Sequence, residues 1–217
     1  MENKVINDDI KKSSMISMNE MDMSRFSIYD NIKRMIDIVS SLFGILLLSP
    51  IFLIIAILIK LESRGSIIFK QLRAGKNSEP FYIYKFRSMR VDAPNIATND
   101  FTNSDMFITK VGNVIRKTSI DELPQLFNIL KGDMSIVGPR PVILEETDLI
   151  EVRKIYNVDN ILPGITGWAQ INGRDNIDVE TKVVYDHEYL IKRSFKLDMY
   201  ILVMTILKVV KKTDIKE

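Results

Sequence analysis

Asn31-Ile-Lys-Arg-Met-Ile-Asp37, running on into Ile38-Val-Ser-Ser-Leu-Phe-Gly-Ile-Leu-Leu-Leu-Ser-Pro-Ile-Phe-Leu-Ile-Ile-Ala-Ile-Leu-Ile59, decides what kind of protein this is. Residues 38–59 carry no charge. At about 1.5 Å per residue, a straight helix of that length covers the roughly 30 Å hydrocarbon core of a bilayer. The flanks argue against a simple crossing. Lys33 and Arg34 precede the run, and Lys60, Arg64, Lys70 and Arg73 follow it, so neither end shows the basic deficit of a segment facing away from the cytoplasm. Ser49-Pro50 lies mid-run, where the proline ring removes a backbone donor and crowds the preceding turn. A re-entrant helix that enters, breaks at Ser49-Pro50 and returns fits both features better than a span. The Ser49 hydroxyl is then available for the freed carbonyl, and Asp37 can pair locally with Arg34 or Lys33.

Working outward, residues 1–30 read as a mobile polar leader, since Glu2, Asp8 and Asp9 stand where a secretory signal would be basic. Residues 31–62 read as the membrane helix, and residues 63–217 as a compact cytosolic domain with membrane-surface helices. The expected fold class is α+β: a mainly helical domain with a short β-hairpin or small sheet, anchored by the re-entrant helix. Residues 81–88 have strand composition, with Lys85 and Arg87 on one face and Tyr82, Tyr84 and Phe86 on the other. Residues 92–105 read as a loop around Pro94. Leu123, Leu126, Phe127 and Leu130 recur at helical spacing ahead of a capping Gly132. Residues 134–137 read as a buried strand and 145–157 as a helix. Pro163-Gly-Ile-Thr-Gly167 and Asn172-Gly173 bracket a hairpin or paired turns. Residues 199–207 are a core helix or an interfacial amphipathic one.

Composition removes several chemistries. The chain has 217 residues, 30 Lys plus Arg against 28 Asp plus Glu, one His and no Cys. The resulting net charge of +2 gives no electrostatic case for a nucleic-acid partner. Thiolate zinc sites and thiol nucleophiles are excluded, and a catalytic triad would rest on His187 alone. No Walker loop and no GxGxxG fingerprint occurs. The nearest approach to an Asp-x-Asp metal motif, Glu20-Met-Asp22, lies in the leader.

Ser119-Ile-Asp-Glu-Leu-Pro-Gln125 carries the most chemistry. Ser119 and Glu122 have capping-box spacing, in which Glu122 only satisfies a helix start. Alternatively, Asp121 and Glu122 are adjacent carboxylates at the positive end of a helix dipole, suited to a divalent cation bridging to a diphosphate. Around them the sequence supplies Lys85, Arg87, Arg116 and Lys117, Arg140 stiffened between Pro139 and Pro141 after Gly138, and Arg174. Each alone reads first as surface solvation, but an Arg held by two prolines suits bidentate phosphate binding. Trp168 and Tyr185 read as core filling rather than base stacking.

These motifs, in order, resemble the bacterial sugar transferases, and more narrowly the small monotopic polyprenyl-phosphate phosphoglycosyl transferases. The resemblance covers Lys33-Arg-Met-Ile-Asp37, the Ser49-Pro50 run, Tyr84-Lys-Phe-Arg-Ser-Met89, Arg116-Lys-Thr-Ser-Ile-Asp-Glu-Leu-Pro-Gln-Leu126, Asn128-Ile-Leu-Lys-Gly-Asp-Met-Ser-Ile-Val-Gly-Pro-Arg-Pro141 and Pro163-Gly-Ile-Thr-Gly-Trp-Ala-Gln-Ile-Asn-Gly-Arg174, within residues 31–212. It implies that Asp121 is a nucleophile attacking the β-phosphate of a UDP-sugar, with UMP released and a phosphosugar-enzyme intermediate passed to a polyprenyl phosphate. Glu122 maps to its partner, with metal or proton duties, and Asp121 and Glu122 together to a Mg2+ site. Gly138, Pro139, Arg140 and Pro141 map to the nucleotide-sugar pocket; Lys85, Arg87, Arg116 and Arg174 to further phosphate contacts; Ser49 and Pro50 to the helix break. The resemblance places the chain at the cytoplasmic face of the inner membrane, feeding downstream glycosyltransferases. A non-catalytic membrane-anchored scaffold and a single-displacement glycosyltransferase releasing UDP are the competing readings.

Overall fold

The computed structural model describes residues 24–93, 104–173 and 177–211. Most of the leader, the core of the loop around Pro94, Arg174 and Lys212 lie outside the described residues. The first element, α1 (Ser24–Glu62), is one helix of 39 residues. It begins before Asn31, so the last residues of the segment read as a leader are already helical. The helix also runs unbroken across Ser49-Pro50, the point of the expected break. Pro50 cannot donate to the Leu46 carbonyl one turn back, and the Ser49 hydroxyl donates to that same oxygen at 2.8 Å.

The antiparallel hairpin β1 (Ile68–Ala74) and β2 (Pro80–Phe86) follows. Its tight turn holds Asn77 and Ser78 at positive φ of 55° and 59°, a conformation that Asn tolerates better than most residues. Next come α2 (Lys110–Lys117), a 3-10 turn (Ile120–Glu122) and α3 (Gln125–Lys131), then β3 (Ser135–Val137) and β4 (Val142–Ile143). The chain ends through α4 (Thr147–Ile155), β5 (Gly164–Thr166), α5 (Trp168–Asn172), α6 (Val179–Lys192) and α7 (Phe195–Lys211). One sheet has the order β2-β1-β4, and the other pairs β3 with β5 in parallel. The α+β class expected from sequence is therefore observed. The turn expected after Pro163 differs: its strand pairs with distant β3, and Trp168–Asn172 is helical. The hairpin of the fold is β1–β2 instead.

Terminating signals act where the sequence puts them. Gly132 closes α3 at φ 102°, donating to the Asn128 and Ile129 carbonyls, the left-handed cap glycine adopts most readily. Thr109 caps α2 through Gly112 N, and Asp178 caps α6 through Thr181 N. Ile83, Ile129 and Met134 form the core between β2 and α3, with Leu126 and Ile136 packed around them. Val137, Tyr189 and Ile201 join β3 to α6 and α7. The apolar tail segment packs into the core on one side, with Ile201 fully buried, while Met199, Tyr200, Val203, Ile206 and Leu207 are exposed.

The rest of the molecule follows α1 along its length. Lys33 reaches Asp198 at 2.7 Å, and Asp198 also accepts hydroxyl bonds from Tyr29 and Tyr189. Arg34 donates to the Ile129 and Leu130 carbonyls at 2.5 and 2.9 Å. Asp37 accepts from Ile136 N. The local pairing expected between Asp37 and Arg34 or Lys33 is thus replaced by three tertiary contacts. Further on, the Phe52 ring lies 5.6 Å from Phe86 and 6.1 Å from Phe127, and Ile59 packs with Phe86 and Ile115. At the end of α1 the Glu62 carboxylate accepts from Lys110 N and Val111 N at 2.6 and 2.9 Å. Both ends of α1 therefore rest on one domain, while Phe43, Leu46, Leu47 and Leu53 on its outer side are more than half exposed.

Candidate active site

The 3-10 turn Ile120–Glu122 hangs between α2 and α3, and its neighbours are fixed by buried polar contacts. Asn128 on α3, fully buried, accepts from Tyr84 N at 3.0 Å and donates to the Tyr82 carbonyl at 2.7 Å. This amide completes an edge of β2 and locks α3 onto the strand that carries Lys85. Lys85 then meets Glu122 at 2.7 Å, and Arg140 Nη2 lies 3.8 Å from the same carboxylate oxygen.

The capping box does not form. Ser119 sits at φ 55° with no side-chain cap bond, and Pro124 occupies the cap of α3. Glu122 is thereby turned toward cations rather than spent on a helix start. Asp121 is pushed up to about 6, first by burial and also by Glu122, against the opposing pull of Lys85 and Arg116. A carboxylate with that value is mostly ionised at neutral pH yet poorly solvated, which leaves it reactive.

Arg140 is aimed by its backbone. Gly138 N donates to the Thr166 carbonyl and Gly164 N to the Pro139 carbonyl, both at 2.8 Å. A Cβ on Gly138 would lie 2.4 Å from the Leu162 oxygen, and one on Gly164 2.1 Å from Gly138 N, so only glycines allow the two motifs to dovetail. Pro139 and Pro141 are buried. Gly138, Pro139 and Pro141 thus serve as mounting, with Arg140 the member that reaches outward. Beneath it, Arg153 donates to the Arg140 carbonyl at 2.8 Å and to Asp186 at 2.6 Å, a buried ion pair that holds the loop from behind.

The sequence-predicted residues separate accordingly. Lys85 and Arg140 meet Glu122, and Lys85 and Arg116 act electrostatically on Asp121. Arg87 does not join them: it is buried and donates to the Ser63 and Arg64 carbonyls at 2.8 Å, tying down the exit of α1. His187 is tied to the Tyr156 carbonyl, and Trp168 packs beside Tyr189 and Ile201 while donating to Glu188. Asn128, Arg153 and Asp186 were not singled out from sequence. Asn128 looks like an ordinary helix residue among apolar neighbours, and the Arg153–Asp186 pair is separated by 33 positions.

A Mg2+ ion needs one or two carboxylates plus substrate phosphates. Asp121 and Glu122 meet that donor count, and no cluster of three or more His, Asp or Glu offers an all-protein cage among the described residues.

The profile of the bacterial sugar transferase family matches residues 28–212. A UDP-N-acetylgalactosamine-undecaprenyl-phosphate N-acetylgalactosaminephosphotransferase of Aeromonas hydrophila is 45% identical over 185 residues, covering 82% of this chain and 44% of the relative. A UDP-glucose:undecaprenyl-phosphate glucose-1-phosphate transferase of Escherichia coli (strain K12) is 42% identical, covering 82% and 40%. The chain spans less than half the length of these two relatives. It spans 87% of an uncharacterized sugar transferase of Bacillus subtilis (strain 168), 40% identical over 82% of this chain.

Proposed function

Because the chain belongs to the bacterial sugar transferase family, we propose that it transfers a sugar-1-phosphate from a UDP-sugar to a polyprenyl phosphate at the cytoplasmic face of the inner membrane. The observation that carries this reading is the Asp121–Glu122 turn, freed from helix capping and set against Lys85 and Arg140. The relatives' names supply the substrate classes: UDP-sugar donors and undecaprenyl phosphate acceptors.

In the proposed first step an Asp121 carboxylate oxygen attacks the β-phosphorus. The bond from that phosphorus to the bridging oxygen breaks, and UMP departs with the electron pair. In the second step a phosphate oxygen of the polyprenyl acceptor attacks the same phosphorus, the acyl-phosphate bond breaks, and the Asp121 carboxylate returns. A covalent carrier lets two anions exchange a phosphoryl group without meeting, and cations supply the charge neutralisation such transfers need. Lys85 and Arg140 hold Glu122 in place and lend positive potential; Arg116 favours the ionised form of Asp121. Mg2+, held by Asp121 and Glu122, would neutralise diphosphate charge and steady the leaving group.

Anchoring suits this chemistry. A polyprenyl phosphate presents its headgroup at the bilayer surface, and a helix whose two ends rest on one domain supports an anchor with both ends on the same side. A span would pull contacts such as Phe52–Phe127 into hydrocarbon together with the domain. The test is incubation of the purified protein with a panel of UDP-sugars, undecaprenyl phosphate and Mg2+. UMP release with an Asp121-bound hexose phosphate by mass spectrometry is the expected result. UDP release identifies single displacement instead, and no nucleotide product with any donor identifies a scaffold.

A further inference from the structure

Arg73 belongs to none of the motif residues assigned above, yet the sheet delivers it to the site. It lies on β1, the middle strand, opposite Phe81 on β2 and Ile143 on β4. Partners in an antiparallel pair share a face. The pairs Phe69–Lys85, Gln71–Ile83 and Arg73–Phe81 therefore put Arg73 on the same face as Lys85. Ile83 on that face packs against Ile129 of α3, so this is the face the Asp121–Glu122 turn approaches.

The hydrogen bonding of Arg73 is incomplete. Nη1 reaches the Pro141 carbonyl at a long 3.4 Å, Nη2 meets Gln71 at 2.6 Å, and Nε is buried without a protein partner. The Nη1 bond ties the Arg73 side chain to the backbone one residue past Arg140. Burial, and then Arg140, draw Arg73 down to about 10, while Glu146, Glu122 and Glu145 oppose the shift. Like charges held together in a half-buried position are costly unless an anion joins them, and Arg forks match phosphate oxygens in pairs.

We propose that Arg73 and Arg140 form a paired-guanidinium clamp for a diphosphate, with Arg73 a donor-binding residue of the site. The identity of that diphosphate as the UDP-sugar rests on the reaction proposed above; the clamp itself does not.

The test uses the full chain and two probes, inorganic pyrophosphate and UDP, titrated by calorimetry into wild type, Arg73→Gln, Arg73→Lys and Arg140→Gln. Arg73→Gln is expected to weaken both probes roughly 10-fold or more, the loss of one charge-assisted contact. Arg73→Lys, which keeps the charge and loses the fork, is expected to fall between. In turnover assays KM for the donor rises and KM for the polyprenyl phosphate does not. Pyrophosphate affinity in Arg73→Gln within about two-fold of wild type overturns the clamp, as does a wild-type protein that binds no pyrophosphate; a fold-supporting role alone would lower melting temperature without moving the affinity. Should Arg73→Gln fail to fold, unchanged pyrophosphate affinity in Arg73→Lys overturns it equally. Pyrophosphate binding that depends on Arg73 in a protein releasing no UMP supports the clamp and removes the reaction.

Discussion

The anchor helix and the Asp121–Glu122 turn use charge in opposite ways. Along α1, Lys33, Arg34, Asp37 and Glu62 each end on a defined partner elsewhere in the fold. At the turn, Lys85, Arg140 and Arg116 gather around two carboxylates, with a contact as long as 3.8 Å among them. Charges in the first region fix a helix to a domain. Those in the second leave positive potential, the arrangement expected where an anion is to be received. The difference separates polar residues that build the molecule from those that await a substrate.

The sharpest break of this contrast is Asp121→Asn. It removes the proposed nucleophile, so UMP release is expected to fall by at least about 10³-fold, while the melting temperature holds or rises because a poorly solvated carboxylate is gone. A comparable loss of fold would move Asp121 into the building group. Arg153→Met should instead cost stability, about 3–5 kcal/mol, by leaving Asp186 buried and uncompensated; chemical denaturation of this variant and of Arg153→Met with Asp186→Leu measures it, the double variant recovering most of the loss. Asn128→Ala strands Tyr84 N and the Tyr82 carbonyl and should cost roughly 2–3 kcal/mol in the same assay.

The pH dependence tests the other side. Asp121 lies at about 6 in the fold against an ordinary 3.8. Its contribution to stability is complete below about 3.8 and is lost as pH rises through about 6. Activity runs the other way, since only the carboxylate attacks, and kcat/KM should rise with a midpoint near 6. Removing Lys85, the strongest group favouring ionisation, moves that acid limb upward in Lys85→Gln. The smallest effect belongs to Glu62→Gln, which removes a negative charge from the start of α2 and should cost about 0.5–1 kcal/mol, with little change in kcat.

Much of the fold was legible because its signals are local. Gly132, the 134–137 strand and the α4 segment announce themselves within a few residues. What sequence reading missed depends on distance. The strand after Pro163 pairs with β3 rather than folding back on itself, since β3 offers a parallel partner no turn signal reveals. Asp37 forgoes Arg34 because Ile136 N needs an acceptor. The capping-box pattern at Ser119 fails because Ser119 takes a left-handed conformation, turning Glu122 to Lys85. Arg87 follows the last residue of β2, where strand alternation no longer governs direction, and it closes on Ser63 and Arg64. The acidic pair and Arg140 were readable as motifs; the groups that hold them, Asn128 and Arg153–Asp186, become visible only when the chain is folded.

The bond from Ser49 to the Leu46 oxygen carries one more implication. In water that oxygen could recruit a solvent molecule and the hydroxyl would be dispensable, whereas in lipid an orphaned carbonyl costs several kcal/mol. Ser49 therefore acts as a gauge of immersion: Ser49→Ala should be nearly silent wherever solvent reaches residue 46 and harmful wherever acyl chains exclude it.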